Sequence, residues 1–265
     1  MLYDINGNIV YNSGVDIFSD NMELDYAFDS SSNANYTVIR IYQTKRDGTK
    51  QYPFVRSPGR MSALDLSANE NWFVIINAGL GVGVSQPIDG IVIQNSEVIF
   101  NQPTTYSGHV GALPLTIDGN GNLSYASTDA DANTLVNQGI VSAVCGFCPI
   151  IINYQDAPIP TIGAGNIGTV QAQRQIIGQF GNGDYAIITC EGRTYDNSDG
   201  WTFAEAQTIC KKLGLKFAYN LDGGGSTETV IGKKQINTIY EETTGRKVPT
   251  FIVFNGTTTY SIPNA

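Results

Sequence analysis

Short apolar segments separated by turns rich in glycine, asparagine and aspartate run through most of this sequence. Residues 36–42 alternate apolar and polar side chains with the period of two that is typical of a half-buried strand. Residues 72–76 form a continuous apolar run, long enough for a central strand and too short for a helix. Glycine supplies 29 of the 265 residues, above its usual share of about 7%. The sequence therefore predicts a strand-rich fold with many tight turns and excludes a helical bundle.

Further strands are predicted over residues 51–55, 90–93, 98–101, 115–117, 123–127, 150–154, 176–180, 185–190, 217–221, 251–254 and 259–262. A hairpin turn at residues 46–49 is expected to join the first two strands. Three helices are predicted, over residues 61–69, 131–138 and 203–213. The last has clear ends, because Thr202 and Glu205 have capping-box spacing and Gly214 follows its final turn. We therefore expect an α+β fold: strand-rich mixed sheets with a few packed helices in a single domain.

The first 35 residues differ from the rest of the chain. Acidic residues are scattered there through a stretch rich in serine and asparagine, after a possible short strand over residues 1–11. We predict that residues 1–35 form an N-terminal extension or docking arm that packs on, or links to, another body. A poorly ordered arm is the open alternative. The main domain is expected over residues 36–265.

Charge and hydropathy exclude several classes of partner. The 24 acidic residues outnumber the 15 Lys and Arg, giving a formal charge of −9, which opposes binding to a phosphate backbone. Nucleic acid is therefore not expected as a partner. No apolar run approaches the ~20 residues that cross a bilayer, so membrane insertion is not expected. The start lacks a basic and an apolar signal region. An extracellular or virion-associated location would need another export route, and a cytoplasmic one stays open.

Two short patterns raise the question of a metal. Cys145 and Cys148 have CxxC spacing, but Pro149 and an apolar run follow, so we interpret the four cysteines as buried structural thiols. Asp118, Asn120 and Asn122 have the spacing of a calcium loop without its glycine at position six, and the same residues are common in hairpins. No metal ligand and no required cofactor are assigned, with a divalent cation such as calcium as the alternative.

The most informative segment is residues 220–227, Asn-Leu-Asp-Gly-Gly-Gly-Ser-Thr. It leaves an apolar strand, places the carboxylate of Asp222 at the strand end and continues into three glycines. Successive glycines let the backbone approach a ligand closely, and their amides can hold an anion. We predict an anion cradle made by Gly223, Gly224 and Gly225 with Ser226 or Thr227, against the alternative of a flexible turn. A nucleotide P-loop is excluded because no Gly-Lys-Ser/Thr follows.

This segment resembles the signature of the phosphodiester glycosidase family, and further landmarks of that family follow the same order along the chain. They are Asn77-Ala-Gly79, residues 115–139, residues 147–153, Arg174 to Gly178, Glu191-Gly-Arg193, residues 203–214 and Arg246 to Pro249. The resemblance covers roughly residues 37–255. Two departures are Ala78, where the family has glycine, and Leu80-Gly81, where it has an aromatic pair. They could reshape the sugar pocket.

The resemblance implies hydrolysis of a sugar-1-phosphodiester at its C1–O bond, in a glycan or cell-surface polymer, releasing free sugar and a phosphomonoester. It implies Asp222 as nucleophile or base and Glu191 as acid. Arg174 and Arg193 would grip the phosphate with the glycine cradle. Asn77 would orient a sugar hydroxyl, and Gly79 of the same motif is also expected to contact the substrate. Ion pairing is the alternative for the arginines and Glu191. His109, the one histidine, is interpreted as structural.

Other functions stay open. The chain could be a non-catalytic glycan-binding module, because the Asn77 motif is altered. It could also be a structural component of a phage tail or baseplate, since the distinct N-terminal arm would suit assembly into a virion or a homo-oligomer. In each case a carbohydrate is the expected partner.

Overall fold

Seven strands form the largest sheet in the computed structural model, which describes residues 21–83, 88–163, 165–193, 197–239 and 245–255. The order across this first sheet is β1, β2, β13, β12, β14, β10, β11. Their bounds in that order are Met22–Asp29, Ala34–Ile41, Tyr185–Cys190, Arg174–Gln179, Phe217–Asn220, Cys148–Ile152 and Gln155–Asp156. Strands β12, β13 and β14 are buried along their whole length because other elements cover both faces.

Two five-stranded sheets complete the β structure. The second sheet has the order β16, β15, β4, β17, β3, with bounds Lys234–Gln235, Thr229–Ile231, Val74–Asn77, Phe251–Phe254 and Pro53–Arg56. The third has the order β6, β5, β9, β7, β8, with bounds Glu97–Phe100, Val92–Gln94, Ile140–Val144, Leu115–Asp118 and Leu123–Tyr125. Every strand pair within the described ranges is antiparallel, so the expectation of mixed sheets is corrected.

Three α-helices lie within the described ranges: α1 (Ala63–Asn69), α2 (Ala132–Asn137) and α3 (Phe203–Lys212). Each begins at a side chain that accepts a hydrogen bond from the backbone of the first turn, namely Ser62, Asp131 and Thr202. All three agree with the sequence-based helices to within two residues. None of them has the length and apolar character needed to cross a membrane.

One hydrophobic core joins the three sheets. It contains Ile177 and Ile187 of the first sheet, Ile76 of the second and Leu115 and Ile117 of the third. Each sheet then buries its outer face under one helix: α3 on the first, α1 on the second and α2 on the third. The chain is therefore a single α+β domain, as the sequence predicts.

Several expectations about connectivity are changed by the structure. Residues 36–42 and 51–55 are strands, but β2 and β3 belong to different sheets, and the turn between them is closed only by a bridge from Thr44 to Lys50. Strand β1, inside the predicted N-terminal extension, pairs with β2 over its whole length. The described part of the extension is thus an edge strand of the first sheet. The strands predicted over residues 1–11 and 259–262 lie outside the described residues.

The two patterns considered for metals have structural roles in this fold. All four cysteines are buried and free, and burial raises the pKa of the Cys148 thiol to about 12. The carboxylate of Asp118 accepts hydrogen bonds from the amides of Asn120 and Asn122 and from the Asn122 side chain, at 2.8–2.9 Å. Asp118 therefore stabilises its own hairpin turn. Within the described ranges no group of three potential ligands of the His, Cys, Asp and Glu types comes together.

The capping box of α3 gives a test of this fold. Thr202→Ala removes the oxygen that accepts from the Glu205 amide at 3.2 Å, and we expect it to lower the free energy of unfolding by about 1 kcal/mol. Urea denaturation measures the change. Thr208→Ala, an exposed position inside the same helix, is the matched control and should be neutral or slightly stabilising. Equal losses in both variants would contradict the capping role.

Candidate active site

Loops from two sheets converge at one edge of the first sheet. Strands β13 and β14 end at this edge, while their antiparallel neighbours β12 and β10 begin there. The end of β4, in the second sheet, meets the same edge, because the amide of Asp222 donates to the carbonyl of Ala78 at 2.9 Å. The predicted site residues that follow these strands are thereby brought into one region.

The segment after β14 is anchored to the start of β12. The amide of Leu221 donates to the carbonyl of Gln175 at 2.8 Å, and that of Gly224 donates to the carbonyl of Gln173 at 2.9 Å. A Cβ on Gly223 would lie 2.8 Å from the Gln173 carbonyl oxygen, and Gly224 has a φ of +57°. Glycine is required at both positions, by close backbone approach at the first and by a left-handed conformation at the second.

The amides of this segment are already used inside the protein. The amide of Gly223 donates to the carboxylate of Asp222 at 2.9 Å. The amides of Ser226 and Thr227 donate to the carbonyls of Gly223 and Gly224 at 3.1 Å, which closes a short 3₁₀ turn. The predicted anion cradle is therefore not presented by these three amides or by that of Gly224. The Gly223 amide instead holds the Asp222 carboxylate, and the other amides hold the turn itself.

Asn77 is fully buried at the end of β4 and holds the same segment. Its Nδ2 donates to the carbonyl of Asp222 at 2.7 Å, and its Oδ1 accepts from the amide of Glu228 at 3.0 Å. The expectation that Asn77 orients a sugar hydroxyl is replaced by a positioning role. Its carboxamide joins both ends of the glycine segment to the second sheet.

The residues after Asn77 serve packing. A Cβ on Gly79 would lie 2.5 Å from Thr250 Oγ1 and 2.6 Å from Val144 Cγ2. Only glycine fits there, so Gly79 allows close packing of the sheets and is not a lining residue of the cavity described next. Ala78 is fully buried in the main core. The departure at Ala78 is thus accommodated by core packing.

A cavity of about 290 Å³ opens beside Asp222, at the small end of the ~300–1,000 Å³ of typical ligand sites. Its walls are mainly apolar and include Phe147, Ile162, Ile167 and Val170. Its polar end is formed by side chains and backbone from the predicted site: Arg174, Arg193, Asp222, Gly223 and Gly224. The cavity therefore combines an apolar wall with one carboxylate and two guanidinium groups.

The two arginines at this cavity have different roles. Arg174 is 1% exposed, and its Nε donates to the carbonyl of Trp201 at 2.7 Å while Nη2 donates to the carbonyls of Ile167 and Val170. Burial lowers the pKa of Arg174 to about 10. Arg174 thus braces the cavity wall through Nε and Nη2, and its binding of a phosphate stays a prediction.

Arg193 is exposed and lines the first cavity. Its Nη2 lies 2.7 Å from where a Cβ of Gly224 would be, so the guanidinium lies directly over the glycine turn. Its backbone has a φ of +59°, a conformation uncommon outside glycine. The turn therefore places a cation in the wall of the cavity that Asp222 also lines.

The surroundings of Asp222 act on its ionisation in opposite directions. Burial raises the pKa of Asp222, since a carboxylate loses solvation in this cavity. The Ser226 hydroxyl, the charges of His109 and Arg246, and the Gly223 amide lower the pKa and partly offset that effect. The net pKa is raised above the usual value for aspartate. A raised pKa in a cavity is typical of a functional carboxylate.

Glu191 lines a different cavity, together with residues of β1, β2 and the segment after β16. Its Oε1 accepts a hydrogen bond from the amide of Thr238 at 2.9 Å. The two cavities share no lining residue. The structure therefore does not bring Glu191 and Asp222 together as paired carboxylates.

Three residues of this region were missed as site residues by the sequence analysis. Nδ1 of His109 lies 2.7 Å from Oδ2 of Asp89, a carboxylate that is 1% exposed. Arg246 Nη1 donates to the Ser226 hydroxyl at 3.4 Å. The sequence held a signal for two of these residues, because His109 is the one histidine and Arg246 begins the closing motif. Asp89 had none, because its role depends on a loop 20 residues further along the chain.

The model of the phosphodiester glycosidase family matches residues 70–255. This chain belongs to the phosphodiester glycosidase family. Residues 70–255 contain β4, β12–β14 and every residue at the polar end of the first cavity. The resemblance drawn from the sequence is thereby confirmed.

Solved structures with low sequence identity share the fold. The catalytic domain of zebrafish N-acetylglucosamine-1-phosphodiester alpha-N-acetylglucosaminidase, auto-inhibited by its pro-peptide, has a TM-score of 0.70 at 16% identity, covering 92% of this chain and 85% of that one. A putative exported protein from Burkholderia pseudomallei has a TM-score of 0.60 at 12% identity, covering 84% and 75%. A hypothetical protein from Synechocystis has a TM-score of 0.61 at 14% identity, and the match covers 89% of this chain and 62% of that one.

A relative by sequence comes from a prophage. The SPbeta prophage-derived uncharacterized protein YomE of Bacillus subtilis (strain 168) is 24% identical over 204 residues, which cover 77% of this chain. The match spans only 31% of that relative's length. The relative is therefore much longer than the region that the two proteins share.

The cations near Asp222 give a test that needs no substrate. Arg246→Met removes a positive charge that favours the ionised carboxylate, so we expect the pKa of Asp222 to rise further. Carbon-13 NMR of the labelled carboxyl measures the titration. Lys247→Met removes the positive charge of the exposed neighbouring residue. It is the control and should leave the pKa of Asp222 unchanged. An unchanged or lower pKa in Arg246→Met would contradict this electrostatic arrangement.

Proposed function

We propose that this chain hydrolyses sugar-1-phosphodiesters at the C1–O bond, releasing the free sugar and a phosphomonoester. The observation that carries the proposal is that the Asp222 carboxylate and the Arg193 guanidinium, which lies over Gly224, line the same polar end of an otherwise apolar cavity. A phosphodiester needs a cation, and the sugar carbon needs a base or nucleophile. Membership of the phosphodiester glycosidase family supports the same assignment.

The leaving group explains why one carboxylate suffices. A phosphate departs as a weakly basic anion, so its oxygen needs no general acid, unlike the leaving group of an ordinary glycoside. We assign Asp222 as the base. Its carboxylate takes a proton from water while the water oxygen bonds to C1, and the electron pair of the C1–O bond passes to the phosphate. Glu191, in the other cavity, is not required for this step.

The remaining groups position the substrate. Arg193 would bind the phosphate with charge-assisted hydrogen bonds, which are stronger than neutral ones. Arg174 would act indirectly, because its donors hold the backbone of Ile167 and Val170 in the cavity wall. The apolar wall would contact the C–H face of the sugar. Asn77 and the internally bonded amides would hold Asp222 against this wall.

We propose a glycan or cell-surface polymer outside the cell as the substrate. The putative exported protein of the same fold supports a role outside the cell. The alternative is a non-catalytic glycan-binding or structural component of a phage tail or baseplate, docked through residues 1–35. The prophage origin of the relative favours that alternative, and an activity assay separates the two.

Asp222→Asn should abolish turnover. We expect kcat to fall by about 10²–10⁴-fold, the usual contribution of a general base, on the p-nitrophenyl phosphodiesters of N-acetylglucosamine, glucose and galactose at C1. Release of p-nitrophenyl phosphate and of free sugar measures it, and Asp156→Asn, an exposed carboxylate on β11, is the control. A kcat in Asp222→Asn that falls much less than about 10²-fold, or no turnover of any substrate by folded wild-type protein, would overturn the proposal. An EDTA arm tests for a divalent cation.

The same assay separates the two predicted carboxylates. Glu191→Gln should retain most of the turnover, because Glu191 lines the other cavity. A loss as large as that of Asp222→Asn would restore Glu191 as a second catalytic carboxylate and reject the single-carboxylate mechanism.

Arg193→Met tests the phosphate contact. Loss of charge-assisted hydrogen bonds of about 1.5–3 kcal/mol should lower kcat/KM by about 10–100-fold, and should also weaken inhibition by inorganic phosphate. Lys212→Met, an exposed cation at the end of α3, is the matched control. Unchanged inhibition by phosphate in Arg193→Met would show that another group binds the anion.

A further inference from the structure

A second cavity, of about 380 Å³, lies beside the outer strands of the first sheet. Its walls come from β1, β2, the end of β13 and the segment after β16. It differs from the first cavity in its chemistry, because polar side chains supply most of the wall: Asn35, Thr37, Glu191, Gln235, Asn237 and Thr238. Nothing in the mechanism proposed for Asp222 uses this cavity.

Two buried polar atoms in this wall have no hydrogen-bond partner among the described residues. Thr37 is 6% exposed, and its hydroxyl oxygen forms no hydrogen bond with any residue that the structure describes. Oε1 of Gln235 also forms no hydrogen bond with a described residue, although Nε2 of the same side chain donates to Asn237 Oδ1 at 2.7 Å. A buried hydroxyl or carboxamide without a partner is destabilising. Such groups are kept in protein interiors where a ligand or water satisfies them.

The charge of the wall restricts the ligand. Glu191 is the one ionisable carboxylate among the described lining residues, and no lysine, arginine or histidine accompanies it. A phosphate or another anion would therefore be repelled. The carboxylate, carboxamide and hydroxyl oxygens are hydrogen-bond acceptors, which suit a ligand that presents several hydroxyl donors. The rings of Tyr26 and Tyr36 add aromatic surface against which the C–H groups of such a ligand can pack.

We infer that the second cavity is a binding site for a neutral sugar residue, with Thr37 and Gln235 as hydrogen-bonding groups and Glu191 as an acceptor of a sugar hydroxyl. The site is separate from the reaction at Asp222 and does not depend on the proposed hydrolysis. It would let the protein hold an uncharged unit of a glycan without cutting it.

The turn between the two cavities explains how they can act separately. A Cβ on Gly192 would lie 2.7 Å from the amide nitrogen of Gln173 and 3.0 Å from Gly200 Cα. This glycine therefore packs tightly against the start of β12. Its neighbours diverge from that point: Glu191 lines the second cavity and Arg193 lines the first. A single turn thus supplies an acceptor to one cavity and a cation to the other.

Binding of neutral glycosides to the full chain tests the inference. The probes are the methyl glycosides of glucose, galactose and N-acetylglucosamine. Saturation-transfer NMR and calorimetry measure their binding at millimolar concentrations. We expect at least one glycoside to bind saturably and Thr37→Val to weaken it about fivefold, the effect of losing one hydrogen bond. Thr37→Ser keeps the hydroxyl and should bind within about twofold of wild type. Inorganic phosphate should not displace the glycoside.

Three controls keep the outcomes distinct. Asp222→Asn should bind the glycoside as wild type does, and Thr37→Val should keep its turnover of small phosphodiesters and its melting temperature. Gln235→Met is the second variant, at a partly exposed position, and should also weaken binding. No saturable binding of any glycoside would overturn the inference. Binding that is lost in Asp222→Asn and unchanged in Thr37→Val and Gln235→Met would overturn it as well, by placing the sugar in the first cavity.

Discussion

The buried carboxamide of Asn77 is the interaction on which the candidate site depends. It bonds to the backbone at both ends of the glycine segment, to the carbonyl of Asp222 and to the amide of Glu228. These two bonds join the second sheet to the loop that leaves the first sheet. Losing them would leave buried polar groups without partners, at a cost of about 1–3 kcal/mol each. The position of the carboxylate is therefore a property of how two sheets meet.

The backbone amides of the glycine segment donate hydrogen bonds within the protein, and this changes the role that the segment can have. Successive glycines suggest an anion-binding loop, but here the amides of Gly223, Gly224, Ser226 and Thr227 already have acceptors. The glycines permit close contact with β12 and with the Arg193 guanidinium. In the proposed reaction the positive charge for a phosphate comes from the Arg193 side chain, and the backbone supplies rigidity. Preorganised charge of this kind is the main source of electrostatic catalysis.

The two cavities divide the polar groups by charge. The first gathers one carboxylate and two guanidinium groups in an apolar surround, which suits the proposed reaction at a sugar phosphate. The second gathers neutral acceptors around Glu191, which suits an uncharged sugar. An anionic and a neutral part of one polymer could thus be held on either side of the Gly192 turn.

The sequence by itself determined the local structure and the family. Periodicity and capping residues located α1–α3 and strands such as β4, β12 and β13, and the glycine segment with its ordered landmarks indicated the phosphodiester glycosidases. Only the tertiary structure decided which partners the site residues have. Arg174 bonds to Trp201, 27 positions away, and Asn77 to Asp222, 145 positions away. Such pairings depend on which strands become neighbours, and that follows from burial of the whole core, which no local pattern encodes.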